Sequence, residues 1–325
     1  TGQTSEDVGF AFNREIITGM LRGKYNFDGV VCTDWGVISD WKFLGRTIMA
    51  ARAWGVTDLT EEQRIEKVLN AGVDQFGGET CPELIVKLVR EGKISEGRID
   101  SSVRRILKMK FVQGLFDDPF VDINNAVATI GKPEFRAAGE LAQRKSLVLL
   151  KNDTVNNSPV LPLKKGIKIY VRDINPEVAA KFGEIVKKPE EADYAIIRLK
   201  APSQPLRGAG FLGMMFPSGD LDFKDEEKAE ILDLLNKVPA IVDIYLSRPA
   251  VIPEIEAGCS GLIANFGSSD DALLDVIFGD FNPGGKLPFE LPSSMEAVRN
   301  QKEDVPFDSE NPLFRFGFGL SYSDN

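Results

Sequence analysis

The sequence predicts an α/β protein. Short runs of Val, Ile and Leu recur along the chain, most are followed by a stretch with helical spacing, and glycine or proline clusters separate the two. Runs that are apolar at every position suit strands buried on both faces, as parallel sheets require.

Residues 8–24 carry Phe10, Phe12, Ile16, Ile17, Met20 and Leu21 at the spacing of an amphipathic helix. A strand over 29–33 follows, ending on Thr33-Asp34-Trp35. The stretch 41–56 is less regular, although Met49 to Trp54 reads as helical, with Trp54 expected in the core. Thr60 and Gln63 form a capping box that opens a helix to Ala71. Residues 72–79 read as a short strand breaking into a glycine loop. Helices are expected from Pro82 to Arg90 and from Ser95 to Gly114, the second with Val103, Ile106, Leu107 and Met109 on one face.

From 114 to 165 the chain reads as a linker. Asp117-Asp118-Pro119 and the polar 152–162 stretch break structure around a helix at Pro133 to Lys145 and the apolar run 147–150. Beyond it, strands are expected at 167–171, 195–199, 240–246 and 261–265. Helices are expected at Pro176–Val186, Lys224–Asn236 and Asp271–Phe278, with a glycine-rich loop at 203–219. This alternation argues for an open α/β sheet. Phe314 to Leu320 alternates like an edge strand.

Composition narrows the chemistry. With 49 acidic against 39 basic residues the net charge is −10, which disfavours a nucleic-acid surface and suits a neutral or cationic small substrate. The chain has no histidine, which excludes a Ser-His-Asp or Cys-His nucleophile and any His-ligated metal within it. Catalysis must therefore run on carboxylates or on groups supplied by another chain. Cys32, Cys81 and Cys259 are scattered and odd in number, so no disulfide framework is implied. No apolar run approaches the length of a membrane span. The first residue is Thr1, so a processed or truncated start is expected, with any signal peptide outside this chain.

Asp34 is the leading candidate for chemistry. A carboxylate at the C-terminal end of a buried strand stands where α/β enzymes keep their reactive groups, and Trp35 beside it offers a face that stacks on a sugar ring. The competing reading makes Asp34 a helix cap and Trp35 core.

The segment Phe27-Asp28-Gly29-Val30-Val31-Cys32-Thr33-Asp34-Trp35-Gly36 resembles the nucleophile segment of family 3 glycoside hydrolases. Further matches follow in the family's order: Ala71-Gly72-Val73-Asp74, Leu147 to Asn152, Phe278-Gly279-Asp280, Gly284-Gly285-Lys286-Leu287-Pro288, and Phe316 to Tyr322. The resemblance spans nearly the whole chain. It implies the C-terminal strands and helices of a (β/α)8-type barrel in residues 1–113, a linker at 114–165, and an α/β sandwich domain at 166–325. A closed barrel takes about 250 residues and eight strands, and two strand–helix units cannot close one. The family's N-terminal segments, including its Lys-His-Phe pocket motif, are absent from this sequence. The rest of the barrel is therefore expected from another chain or a missing piece.

The resemblance further implies a retaining exo-acting β-glycosidase, foremost a β-glucosidase acting on a β-linked glucoside or oligosaccharide, with no cofactor and any bound Ca2+ or Mg2+ structural. Asp34 matches the nucleophile and Trp35 the Trp that lines the sugar pocket. Many of the β-glucosidases this chain resembles carry a Glu acid/base just before the Ala-Asp-Val-Leu-Phe-Gly helix of the second domain. Here that loop is Asn265-Phe266-Gly267-Ser268-Ser269-Asp270-Asp271 and holds no Glu. Asp270 replaces it, or the acid comes from elsewhere, such as Asp220 or the absent segment, or Asp270 only caps the following helix. Glu79, in the loop after the second strand, is a candidate for a substrate hydroxyl, against the plainer reading of a solvated carboxylate. Arg207 is a second such candidate, with Phe211, Met214, Met215 and Phe216 as a wall beyond the cleaved bond. The rivals are a β-xylosidase or N-acetylhexosaminidase of the same family, and a non-catalytic sugar-binding subunit that keeps the scaffold without a working acid.

Overall fold

The computed structural model describes residues 6–204, 217–302 and 304–322. The chain divides into two compact units, Thr1–Ala126 and Val127–Asn325.

The first unit opens with a 3-10 turn, Phe10–Phe12, and a wide π-type helix, Glu15–Lys24. The expected single α-helix is thus replaced. Asn13 is the reason, because its buried side chain accepts the Ile16 N–H and breaks the ladder between the two pieces. Strand β1 (Cys32–Trp35) follows, then a hairpin of β2 (Trp41–Phe43) and β3 (Arg46–Met49). The helical reading of Met49–Trp54 is corrected. After β3 the chain is held extended by Ala51 N–H donating to the Asp40 carboxylate and Arg52 N–H donating to the Gly36 carbonyl. Those donors are taken out of any helical ladder. Trp54 is exposed rather than core.

Helix α1 (Glu61–Ala71) starts at the expected capping box, with Thr60 and Gln63 satisfying each other's backbone N–H groups. It ends on Gly72 at φ 109°, a conformation that side-chain-bearing residues avoid. Strand β4 (Gln75–Gly77) pairs parallel to β1, with Cys32 opposite Gln75 and Trp35 opposite Gly77. Helices α2 (Pro82–Arg90) and α3 (Glu96–Val112) take the expected places, α3 capped by the Ser95 hydroxyl. The core of the unit is Phe12, Ile17, Ile38, Ile65, Val68 and Leu88 with their neighbours. On the apolar face of α3, Val103, Leu107 and Met109 are exposed.

The stretch 114–165 holds more structure than a linker. Asp122 accepts the Asn125 N–H and starts an unexpected short helix, α4 (Ile123–Thr129). Helix α5 (Pro133–Ser146) leads into β5 (Val148–Asn152), an edge strand of a six-stranded sheet. A small hairpin, β6 (Thr154–Val155) with β7 (Ser158–Pro159), comes next.

The sheet is completed by β8 (Lys168–Arg172), β9 (Glu184–Ile185), β10 (Tyr194–Lys200), β11 (Ala240–Tyr245) and β12 (Gly261–Asn265). Its order is β5-β12-β11-β10-β8-β9, all parallel except β5. Helices α6 (Pro176–Ala179), α7 (Asp225–Lys237), α8 (Pro253–Gly258) and α9 (Asp270–Ile277) cover its faces. Side chains alternate across the sheet. Ala195, Ile197 and Leu199 pack toward α7 and α8, while Ile196, Ile241 and Ile263 pack toward α6 and α9. Each fully buried Ile or Leu contributes about 1.5–3 kcal/mol, so this alternation specifies the register. Val148 and Leu149 divide the same way, which is why an apolar run inside a polar stretch became a strand.

Two further expectations change. The helix expected over Pro176–Val186 stops at Ala179, because Glu184 N–H instead bonds the Ile167 carbonyl and 184–185 add to the sheet as β9. Phe314–Leu320 forms no continuous strand. It makes single antiparallel bridges, Phe314 with Leu291 and Leu320 with Leu149, so it ties down the β5 edge through one backbone contact. In the expected glycine-rich loop, 205–216 lie outside the described residues.

Candidate active site

Asp34 stands at the C-terminal end of β1, and its position follows from how that strand is held. The strand preceding it is clamped by Asp74. The Asp74 carboxylate, its side chain wholly buried, accepts the Val31 N–H at 3.0 Å, Arg22 Nη2 at 2.5 Å, Ser102 Oγ at 2.8 Å and Arg105 Nη1 at 3.0 Å. Burial alone pushes this carboxyl up. The Val31 N–H, the Ser102 hydroxyl and the Arg22 and Arg105 guanidiniums outweigh it and hold Asp74 below the usual aspartate range. Next in line, the buried Thr33 hydroxyl accepts the Gly77 N–H at 2.8 Å and locks β1 to β4.

With Thr33 turned inward, Asp34 faces outward, its side chain 68 % exposed. One oxygen accepts the Trp35 N–H at 2.8 Å, and the other lies 2.9 Å from Arg52 Nη1. Arg52 also donates from Nη2 to the Trp35 carbonyl and from its backbone to Gly36. It thus grips the end of β1 at three points. The Trp35 ring is 63 % exposed and lies over Gly77 and Gly78, where a Cβ on Gly78 would collide with the indole. Only glycine leaves room for this pose. Asp34 and Arg52 are the charged members in the wall of a cavity of about 440 Å3, whose apolar members include Phe10, Phe12, Ile16 and Trp54.

Glu79 lies just past β4. Its Oε1 accepts the Ile38 N–H at 2.9 Å, and Oε2 is buried without a hydrogen-bond partner among the described residues. It is therefore not the freely solvated carboxylate of the plainer reading. An unsatisfied buried acceptor costs about 1–3 kcal/mol, which is what a ligand hydroxyl would recover.

In the second unit, the cap of α9 is Ser269, which accepts the Ala272 N–H, so Asp270 is not the capping residue. Asp270 instead lies 2.5 Å from Arg198 Nη1 and accepts the Asn175 N–H at 2.9 Å. Arg198 in turn bonds Asp243, which is completely buried, at 2.6 Å, and Asn265 also donates to Asp243. Burial pushes the Asp243 carboxyl up. For Asp270 to carry the proton of a general acid, it must weaken its ion pair with Arg198. Asp220 lies 2.8 Å from Lys224 Nζ, and that ammonium holds its carboxyl below the usual range, a poor setting for an acid near neutral pH. Arg207, with Phe211, Met214, Met215 and Phe216, lies outside the described residues.

Sequence reasoning missed Arg52. The irregular 41–56 stretch carries no local signal that its arginine returns to the end of β1.

Fold and site together define an α/β protein with an exposed carboxylate at the end of a parallel strand, flanked by an aromatic face. Residues 3–109 match the model of the glycosyl hydrolase family 3 N terminal domain, and 172–322 that of the family's C-terminal domain. The chain belongs to glycoside hydrolase family 3. It is 52 % identical over 326 residues to the probable beta-glucosidase C of Aspergillus oryzae, covering 99 % of this chain and 50 % of that protein. It is 40 % identical over 332 residues to the periplasmic beta-glucosidase/beta-xylosidase of Dickeya chrysanthemi, with 99 % and 50 % covered. The chain thus spans about half the length of the curated relatives it matches. Among solved structures, the beta-glucosidase from Listeria innocua in complex with glucose superposes with a TM-score of 0.72 at 20 % identity, covering 96 % of this chain and 49 % of that one. At that identity the likeness concerns the mixed α/β fold with its parallel sheet.

Proposed function

We propose that this chain is the C-terminal portion of a retaining exo-acting β-glycosidase, a β-glucosidase that releases terminal non-reducing β-D-glucosyl residues. The observation that carries the reading is Asp34: an exposed carboxylate at a parallel strand's C-terminal end, aimed by Arg52, with an exposed Trp beside it. The similarity to proteins named beta-glucosidases supports it. In this reading Thr1–Ala126 is the C-terminal part of a catalytic barrel, and Val127–Asn325 is the α/β sandwich domain. The remaining barrel strands come from another chain or from a further segment, since β1 and β4 supply only two of eight.

Asp34 attacks the anomeric carbon while a carboxylic acid protonates the departing oxygen, leaving a glycosyl ester on Asp34. The second group, now a base, deprotonates the water that opens the ester. Trp35 stacks on the sugar, and the Glu79 Oε2 accepts a hydroxyl. Arg207, which follows β10 in the sequence, is a further candidate for a sugar contact. The chemistry needs two carboxyl groups and no cofactor. Asp270 is the acid/base candidate within this chain, and in that role it exchanges its Arg198 contact for substrate.

The test is mechanism-based trapping of the complete protein with 2-deoxy-2-fluoro-β-glucosyl fluoride, followed by peptide mapping. The label is expected on Asp34, and Asp34→Asn is expected to abolish both labelling and turnover. Label on any other residue defeats the assignment. The fluoroxyloside trapping faster than the fluoroglucoside favours the β-xylosidase reading, which the Dickeya protein's double name keeps relevant. The tied-up Asp270 motivates the sugar-binding-subunit reading. Failure of the complete protein to turn over any aryl glycoside supports it.

A further inference from the structure

The parallel part of the six-stranded sheet reverses its winding direction at β8. In chain order, β8 is followed by β9 on one side and by β10, β11 and β12 on the other. Number these five strands by sequence, and their order across the sheet is 2-1-3-4-5. The chain reverses direction across the sheet between β8 and β10. The helices that follow these two strands pack on opposite faces, with Ala179 of α6 among the residues of one core layer and Ile231 of α7 in the other. Open parallel sheets hold ligands in the crevice that such a reversal leaves beyond the strands' C-terminal ends.

A crevice of about 450 Å3 lies there. Arg172 and Asp173 line it from the end of β8, Arg198 and Lys200 from the end of β10, and Phe223 and Ile231 supply buried apolar surface. The volume falls within the range of small-molecule sites. Three basic side chains line it, Arg172, Arg198 and Lys200; Arg172 is paired with Asp173 and Glu230, which leaves Arg198 and Lys200 as the groups open to a ligand.

Two of those cations have unused capacity. Arg198 spends Nε on Asp243 and Nη1 on Asp270, but its Nη2 is buried with no hydrogen-bond partner among the described residues. Guanidinium groups are suited to bidentate pairing with carboxylate or phosphate oxygens, and a buried unpaired donor is costly to leave so. Lys200 is exposed and forms no ion pair among the described residues. We infer that the crevice between β8 and β10 binds a small organic oxyanion, a carboxylate or phosphate ester of about monosaccharide size, with Arg198 and Lys200 as its charge partners. The site lies within the second unit and shares Arg198 with the Asp270 contact of the proposed function, so the test is placed on Lys200, which has no part in that contact.

The experiment measures binding to the complete protein by isothermal titration at low salt. The probes are glucuronate, glucose 6-phosphate, inorganic phosphate and uncharged glucose, each against wild type and Lys200→Gln. Lys200 is exposed, so its replacement is expected to leave the melting temperature and any aryl-glucoside turnover unchanged. The expected result is saturable binding of at least one organic anion that weakens tenfold or more in Lys200→Gln and falls with added salt. Glucose shows no Lys200-dependent binding. Selective binding of glucuronate identifies a carboxylate ligand; selective binding of glucose 6-phosphate identifies a phosphate ester. The inference is overturned if neither organic anion binds, if the binding survives Lys200→Gln undiminished, if inorganic phosphate alone binds, or if glucose competes equally at the Lys200-dependent site.

Discussion

Replacing Asp74 with Asn tests whether the position of the proposed nucleophile is set by the buried clamp behind it. The wild-type carboxylate, its side chain with no exposure, receives the Val31 N–H, the Ser102 hydroxyl and the guanidiniums of Arg22 and Arg105, with Arg98 3.9 Å away. Asparagine fills the same space, but it removes the charge and turns an NH2 toward donors. Breaking a buried ion pair from one side costs about 3–5 kcal/mol, because the partner cations stay behind uncompensated. Every ~1.4 kcal/mol is a tenfold change in an opening equilibrium. Hydrogen exchange at the backbone of 29–36, followed by mass spectrometry on the complete protein, should therefore lose roughly 10²- to 10³-fold of its protection. Turnover should fall in step, since Val31 lies three residues before Asp34. The pH dependence has a definite sign. Asp74 is held below its unfolded value near 3.9, so its stabilisation is complete above about pH 4 and disappears as the pH drops through the depressed value. The variant should lack that acid-side loss. A change in protection below tenfold, or an unaltered acid limb, would refute the claim that Asp74 holds β1.

Other outcomes follow from the same geometry. Arg52→Met should lower kcat by about 10²-fold with KM nearly constant, as expected when a reacting group is misaimed by about an ångström, and Arg52→Lys should recover part of the loss; a change confined to KM would assign Arg52 to substrate binding instead. Asp270→Asn separates an acid/base from a scaffold role. As the acid/base, it should lose turnover of alkyl glucosides while keeping formation of the glycosyl-enzyme from dinitrophenyl glucoside, with azide restoring the second step. As scaffold only, it should depress both substrates alike and lower the melting temperature by exposing the Asp243–Arg198 pair to imbalance.

Much of the fold was legible because its causes are local. The Thr60–Gln63 capping box, the helix beginning near Ser95, and the alternating or wholly apolar strands β8 and β10 to β12 each depend on residues a few positions apart. Asp34 and Trp35 were legible for the same reason, an apolar run stopping on polar residues. The strand expected over 29–33 begins only at Cys32, however, and Val30 and Val31 are half-buried and Cys32 exposed rather than buried. What escaped was decided by partners distant in sequence. Met49 to Trp54 favours helix alone, yet Gly36 and Asp40 claim its N–H groups, and the 176–186 helix yields once Ile167 pairs with Glu184.

The amino-acid order alone determined the α/β class, that no histidine of this chain takes part in chemistry, and which aspartate stands at the end of the first strand. Only tertiary structure decided that Arg52 grips that aspartate, that Asp74 locks the strand behind it, and that Arg198 draws Asp270 toward Asp243. Secondary structure reflects preferences of neighbouring residues, whereas charge pairing depends on which side chains the folded backbone brings within about 3 Å. That distance is not encoded in spacing along the chain.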